Sequence, residues 1–199
     1  MGNREDLLAG AKRCLYEKGY ARTTARDIAA ASGVVSLAAI GYHYGSKEAL
    51  LNEALRQALE EWGDDLGRTL AAQVDPAAAP EQRFEAAWSA VIRSFDESRP
   101  LWAVQFELVA HIDRTPELAE AFAEAGRQAR LGLVELIGDL GAGADEKTAE
   151  KIGAFYQVLL SGLAAQWLVD ARAVPSGRDL VEVLKLLTGG LHPHPEATA

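Results

Sequence analysis

Residues 20 to 51, YARTTARDIAAASGVVSLAAIGYHYGSKEALL, confine this part of the chain to short helices with sharp stops. Thr24 is placed to cap a helix beginning at Ala25. Asp27, three residues on, can answer the cap's own amide and favour the helix N-terminus. Gly33 supplies the left-handed residue that ends this helix. Ser36 is expected to cap a second helix, Leu37 to Tyr44, stopped by Gly45, after which Ser46 caps a third. Helix, tight turn and helix form the unit that lays one helix in the major groove of DNA while the other braces it on the backbone.

Helical periodicity continues through the chain, with no alternating strand or hairpin turn, so the fold class is all-α. A first helix runs from about Arg4 to Lys18, with Leu7, Leu8, Ala11, Cys14 and Leu15 on one face and Gly19 at its end. The helix from Ser46 reaches toward Ala72, long enough to join two domains. Asp75-Pro76 breaks it. Further helices are expected over 81–97, 101–112, Pro116 to about Leu140, 146–172 and 179–187. Thr115-Pro116-Glu117 and Asp145 mark two of the starts. Gly189-Gly190 and the residues after them read as a frayed tail.

The segment Gly19-Tyr20, Thr23-Thr24, Asp27-Ile28-Ala29, Gly33-Val34 and Tyr42-His43-Tyr44-Gly45-Ser46-Lys47-Glu48-Ala49-Leu50-Leu51 resembles the DNA-binding region of the tetracycline-repressor (TetR) family of bacterial regulators. Beside that pattern, Val34-Val35 carries one residue more than usual, Tyr44 replaces a Phe, and Gly41 replaces an aromatic. The resemblance implies an N-terminal helix-turn-helix domain, residues 1–50, followed by a helical ligand-binding and dimerisation domain, residues 51–199. It also implies a palindromic DNA operator as partner, a homodimer, a small-molecule effector of unknown identity, and repression as the outcome.

By the same resemblance, Ser36, Leu37, Ala38 and Ala39 lie nearest the base edges, while Tyr42, His43 and Lys47 reach phosphates. Lys47 near a helix start and the Tyr42 phenol suit that chemistry. Arg22 and Thr24 are further phosphate candidates. The second helix contains no Arg, Lys, Asn or Gln for a bidentate base contact. Sequence preference would then rest on Leu37 and Ala38 against thymine methyls, Ser36, Arg26 and DNA shape. Tyr44 reads as a core residue, and His43 either as a phosphate contact or as helix-end packing.

The net charge of −9 argues against nucleic acid until its distribution is considered. Through Arg56 the chain carries eight Lys/Arg and six Asp/Glu, and the remainder is strongly acidic. A weakly positive head on an acidic body binds phosphates locally, because charges beyond about 8 Å are largely screened at physiological salt. The lone Cys14 excludes an intrachain disulfide and reads as core packing. With no run of eighteen apolar residues and no leader-like N-terminus, the expectation is a cytoplasmic protein that contacts no membrane.

In the body, Trp88, Trp102, Gln105, Phe106, His111, Phe122, Tyr156 and Trp167 form the candidate lining of an apolar ligand pocket, with ordinary core packing as the alternative. The 146–172 helix is apolar on more than one side, and Gly153, Ser161, Ala165, Leu168, Leu180, Leu184 and Leu187 are the candidate dimer interface. Glu107 and His111 share a helix face, but no second His motif, phosphate loop or nucleophile elbow accompanies them. An enzyme is therefore not expected, nor a metal or other cofactor; a ligand-blind architectural DNA-binding protein is the remaining alternative.

Overall fold

The computed structural model describes residues 3–34, 36–75, 77–110, 112, 116–137 and 145–191, and every regular element among them is helical. They are α1 (Asn3–Lys18), α2 (Ala25–Ser32), α3 (Ala38–Tyr44), α4 (Lys47–Gln73), α5 (Pro80–Glu97), α6 (Arg99–Val109), α7 (Pro116–Ile137), α8 (Glu146–Val169) and α9 (Gly177–Leu191). The 3-10 turn Ala171–Ala173 lies between α8 and α9. The chain forms two compact units that interleave along the sequence. One comprises residues 1–66 and 95–127, the other 67–94 and 128–199, so α4 contributes to both.

In the first unit, Leu7, Ala11, Cys14 and Leu15 of α1 join Ile28, Val34 and Ile40. Leu50, Leu51, Ala54, Leu55 and Ala58 of α4 complete this core together with Leu101, Val104 and Leu108 of α6. The helix-turn-helix thus shares its core with a helix some fifty residues beyond the expected domain boundary. α1 and α2 cross closely at Gly10, where a Cβ would stand 2.8 Å from the Ser32 Cβ. Cys14 is buried and its thiol pKa is raised by that burial, which suits packing.

Thr24 caps α2 with both halves of a capping box in place. The amides of Gly33 and Val34 then return to the carbonyls of Ala30 and Ala29, closing the helix with a left-handed Gly33 at φ 69°. α3 departs from expectation. It begins at Ala38, and Leu37 caps it with no side-chain hydrogen bond. Ser36 contributes only its carbonyl, to the amide of Ala39. Val35 lies outside the described residues, as do Thr115 and Leu140. Ser46 caps α4 as expected, accepting from the Ala49 amide at 2.9 Å.

In the second unit, Phe84 and Trp88 of α5 pack with Tyr156 of α8. α7 meets α8 at Gly153, where a Cβ would fall 2.4 Å from the Arg130 carbonyl oxygen. α9 starts two residues earlier than expected. Ser176 and Asp179 form a reciprocal cap, each accepting the other's amide, and Gly177 fits against the Glu85 carbonyl. At its far end α9 runs through Gly189-Gly190 to Leu191, because two glycines weaken a helix without forbidding it.

Candidate nucleic-acid interface

α3 divides cleanly between core and solvent. Ile40 is buried, and burying a side chain of that size is worth roughly 1.5–3 kcal/mol. Ala39, His43 and Tyr44 are partly covered. Leu37, Ala38, Gly41 and Tyr42 face outward, Tyr42 at 86% exposure. A Cβ on Gly41 would meet nothing within 4 Å. The outward surface is therefore small, apolar and smooth up to Tyr42, a shape that lets helix backbone approach a groove closely. Tyr42 and His43 stack edge to face at 4.9 Å. Tyr44 donates its hydroxyl to the Arg4 carbonyl at 2.8 Å, with the Arg4 guanidinium over its ring.

Ser36 is exposed just ahead of α3, and Arg22, in the turn before α2, and Arg26, in its first turn, are exposed as well. Arg22 donates its Nε to the Lys18 carbonyl, which leaves the terminal guanidinium nitrogens directed by a fixed stem. Two of the expected phosphate contacts also make bonds inside the unit. The Thr24 hydroxyl donates to the Asp27 carboxylate and accepts the Asp27 amide, and the Thr24 amide goes to the same carboxylate. No Thr24 donor is left for a phosphate while the cap stands. Lys47 donates its ammonium to the Thr23 carbonyl at 3.0 Å and pairs with Glu48 at 3.3 Å. It ties α4 to the turn before α2.

The electrostatics of this turn are set by Asp27. A hydrogen bond from Lys18, then those from Thr24, hold its carboxyl far below the ordinary range. Tyr20 beside it donates its hydroxyl to Asn52 at 3.0 Å, and burial, then the charge of Glu48, pushes its phenol up to about 12. Glu107, read from the sequence only as sharing a helix face with His111, accepts the amides of Tyr20 and Ala21 on its two carboxylate oxygens at 3.0 and 2.9 Å. No local pattern connects α6 to that turn.

The candidate ligand residues fall into both units. Trp102, Gln105, Phe106 and Phe122 belong to the first, and Trp88, Tyr156 and Trp167 to the second. Trp88 and Tyr156 are fully buried in aromatic packing, and Trp102 packs on Trp62 and Phe95. Trp88 Nε1, Trp102 Nε1 and Gln105 Oε1 are buried and find no hydrogen-bond partner among the described residues. His111 lies outside the described residues. A cleft of about 170 Å³ in the first unit is bordered by Tyr16, Trp62 and Leu101, and one of about 470 Å³ in the second by Gln73, Gln82 and Arg83. None of the candidate ligand residues that are described lines either cleft. Among the described residues no group of His, Cys, Asp and Glu is placed to hold a metal.

Of the candidate dimer residues, Ser161 and Leu187 are exposed, and Ala165, Leu168, Leu180 and Leu184 are half-buried. Gly153 is turned inward, its missing side chain making room for α7 in the same chain, so it does not serve an outer face. Phe155, Val158, Gly162, Ala165 and Val169 follow the 3–4 spacing of a packing seam on α8. Val183, Leu186 and Leu187 are exposed on α9. α8 is also long and apolar enough, by length and composition alone, to cross a membrane.

Comparison with known proteins matches residues 7–54 to the family model "Bacterial regulatory proteins, tetR family" and residues 80–187 to "BetI-type transcriptional repressor, C-terminal". The chain is 30% identical over 137 residues to the HTH-type transcriptional repressor KstR2 of Rhodococcus jostii, covering 67% of this chain and 64% of that protein. It is 39% identical over 75 residues to the HTH-type transcriptional regulator TtgR of Pseudomonas putida, covering 37% of this chain and 35% of that one. The matched stretches thus span less than two thirds of either curated relative. The fold is similar to that of the multidrug binding protein EbrR complexed with imidazole, at 24% identity and a TM-score of 0.67, over 97% of this chain and 91% of that one.

Proposed function

The chain belongs to the TetR family of bacterial regulatory proteins, and from that premise we propose that it is a DNA-binding transcriptional regulator, dimeric, whose operator affinity is lowered by an apolar or aromatic small molecule. The matched families and relatives are regulators, and no enzymatic role is assigned. The observation that carries the reading is the outward face of α3. Leu37, Ala38, Gly41 and Tyr42 project from a helix anchored by Ile40, in a segment matched to the family's DNA-binding region.

Ala38 and Gly41 admit close groove approach, and Leu37 and Ala38 offer apolar contact to thymine methyls. Tyr42, Ser36, Arg22 and Arg26 supply donors for phosphates or base edges. The exposed seams of α8 and α9 support a second copy as the covering surface, with two heads reading inverted half-sites on one side of the duplex. Burial of Tyr156, Leu163 and Ala164 on the other side of α8 fits a helix that packs on protein, and we read its apolar length as an interface.

Support for an effector comes from the buried indole nitrogen of Trp102 and carbonyl of Gln105. A buried polar group without a partner is costly, and an apolar ligand carrying a matching acceptor and donor would recover that cost. The close packing of Trp88 and Tyr156 favours the ligand-blind alternative. Selection of duplexes from a random library by the full-length protein, followed by footprinting, tests the reading. Enrichment of one inverted repeat is expected, and failure to enrich any sequence would remove it.

A further inference from the structure

Three consecutive residues after α1 are shaped around a single carboxylate. Tyr20 and Ala21 donate their amides to the two oxygens of Glu107, and Gly19 adopts φ 81°, where a Cβ would stand 2.5 Å from Oε2. These two amides lie past the end of α1, outside its ladder of backbone hydrogen bonds, and a charged acceptor binds them more strongly than a neutral one. Glu107 sits in the last turn of α6, whose Leu101, Val104 and Leu108 are fixed in the same core as α1 to α4.

The turn is also held from α4, by Lys47 on the Thr23 carbonyl and Asn52 on the Tyr20 hydroxyl. Thr24, immediately after it, begins the helix that braces α3. This junction, together with the shared core, holds the direction in which α2 and α3 leave α1.

We infer that Glu107 is a positioning residue for DNA reading: through its paired hydrogen bonds to the 19–21 turn, α6 fixes the orientation of the reading helix and with it the half-site spacing that a dimer accepts. This rests on the dimeric DNA-binding reading above. Glu107 touches no DNA. Its removal loosens the head rather than deleting a contact.

The test uses the full-length chain and duplexes selected from a random library by the unmodified protein, in their native spacing and with one base pair inserted at the dyad. Glu107→Gln retains one acceptor and Glu107→Ala none. Both variants are expected to melt cooperatively. Operator affinity should fall at least tenfold for Glu107→Ala, which loses both hydrogen bonds to the carboxylate, and less for Glu107→Gln. Discrimination against the inserted spacing should shrink in the same order, a readout that a general loss of stability would not move. Amide exchange at Tyr20 and Ala21 should quicken in both variants. If Glu107→Ala does not fold, Glu107→Gln carries the test alone. Unchanged spacing discrimination in a folded variant, or unchanged exchange at the two amides, would overturn the assignment. An unmodified protein that selects no two-half-site duplex would instead overturn the parent reading, and this one with it.

Discussion

At the scale of single residues, Asp27 is the clearest case of sequence and structure agreeing on one atom while differing on its company. The Thr24-x-x-Asp27 spacing is a capping pattern legible without a structure. The ion pair from Lys18 arises only because the chain reverses at Gly19. A carboxyl depressed in the folded state adds stability above its unfolded pKa of about 4 and loses it as pH falls toward the folded value. Asp27→Asn should therefore lower the melting temperature at neutral pH and flatten its decline below about pH 4. An acid limb identical to that of the unmodified protein would contradict the assignment. Lys47 makes a second case. If its bond to Thr23 is what matters, Lys47→Ala should lower both thermal stability and operator affinity. Were it purely a phosphate contact, the salt slope would drop by about one unit with melting unchanged. Gly10→Ala should cost about 1–3 kcal/mol in a denaturant titration, because the new methyl meets Ser32 across the α1–α2 crossing.

At the scale of elements, three helix starts are legible in the sequence because a side chain closes its own cap, at Thr24, Ser46 and Asp145. Ser36 misled, because its place before an apolar run carries the composition of a cap without the geometry. Ser176 and Asp179 were overlooked although they follow the same reciprocal pattern as Thr24 and Asp27. Inward and outward faces of α8 could not be told apart from its sequence, since both are apolar. Phe155 and Tyr156 are neighbours, yet one is 41% exposed and the other 1%. Gly153 likewise read as a contact for a second copy and serves α7 within its own chain. The outer seam yields an expectation for association. Leu187→Glu, at a position 57% exposed in the single chain, should leave the fold intact and weaken dimerisation at least tenfold, an unpaired buried charge costing several kcal/mol. Sedimentation showing the same association state for both proteins would sink this model of the interface.

At the scale of the whole molecule, what escaped the sequence is what depends on long-range packing. The all-α class and the helix-turn-helix pattern follow from periodicity and caps, which are local, and the DNA-binding reading of that head from the resemblance of residues 19–51 to one family's motif. The incorporation of α6 into the head's core, and Glu107 with it, joins segments far apart in the chain, and no short pattern announces it. The aromatics of the body share a composition but belong to two units, so a common lining could not be inferred from their types. A small molecule that acts as proposed must bind the DNA-free arrangement more tightly. A coupling of about 1–3 kcal/mol would weaken operator binding roughly 5- to 150-fold, and operator would weaken the ligand by the same factor. The central claim, that the outward face of α3 reads DNA in a dimer, is tested most directly by a footprint on a duplex selected by the protein itself, at two salt concentrations. The account predicts two protected half-sites related by a dyad on one face of the duplex, with altered sequence preference on substituting Leu37 and weaker protection at higher salt. Protection without a dyad, or a footprint and preference unchanged by substituting Leu37 and Tyr42 together, would contradict it.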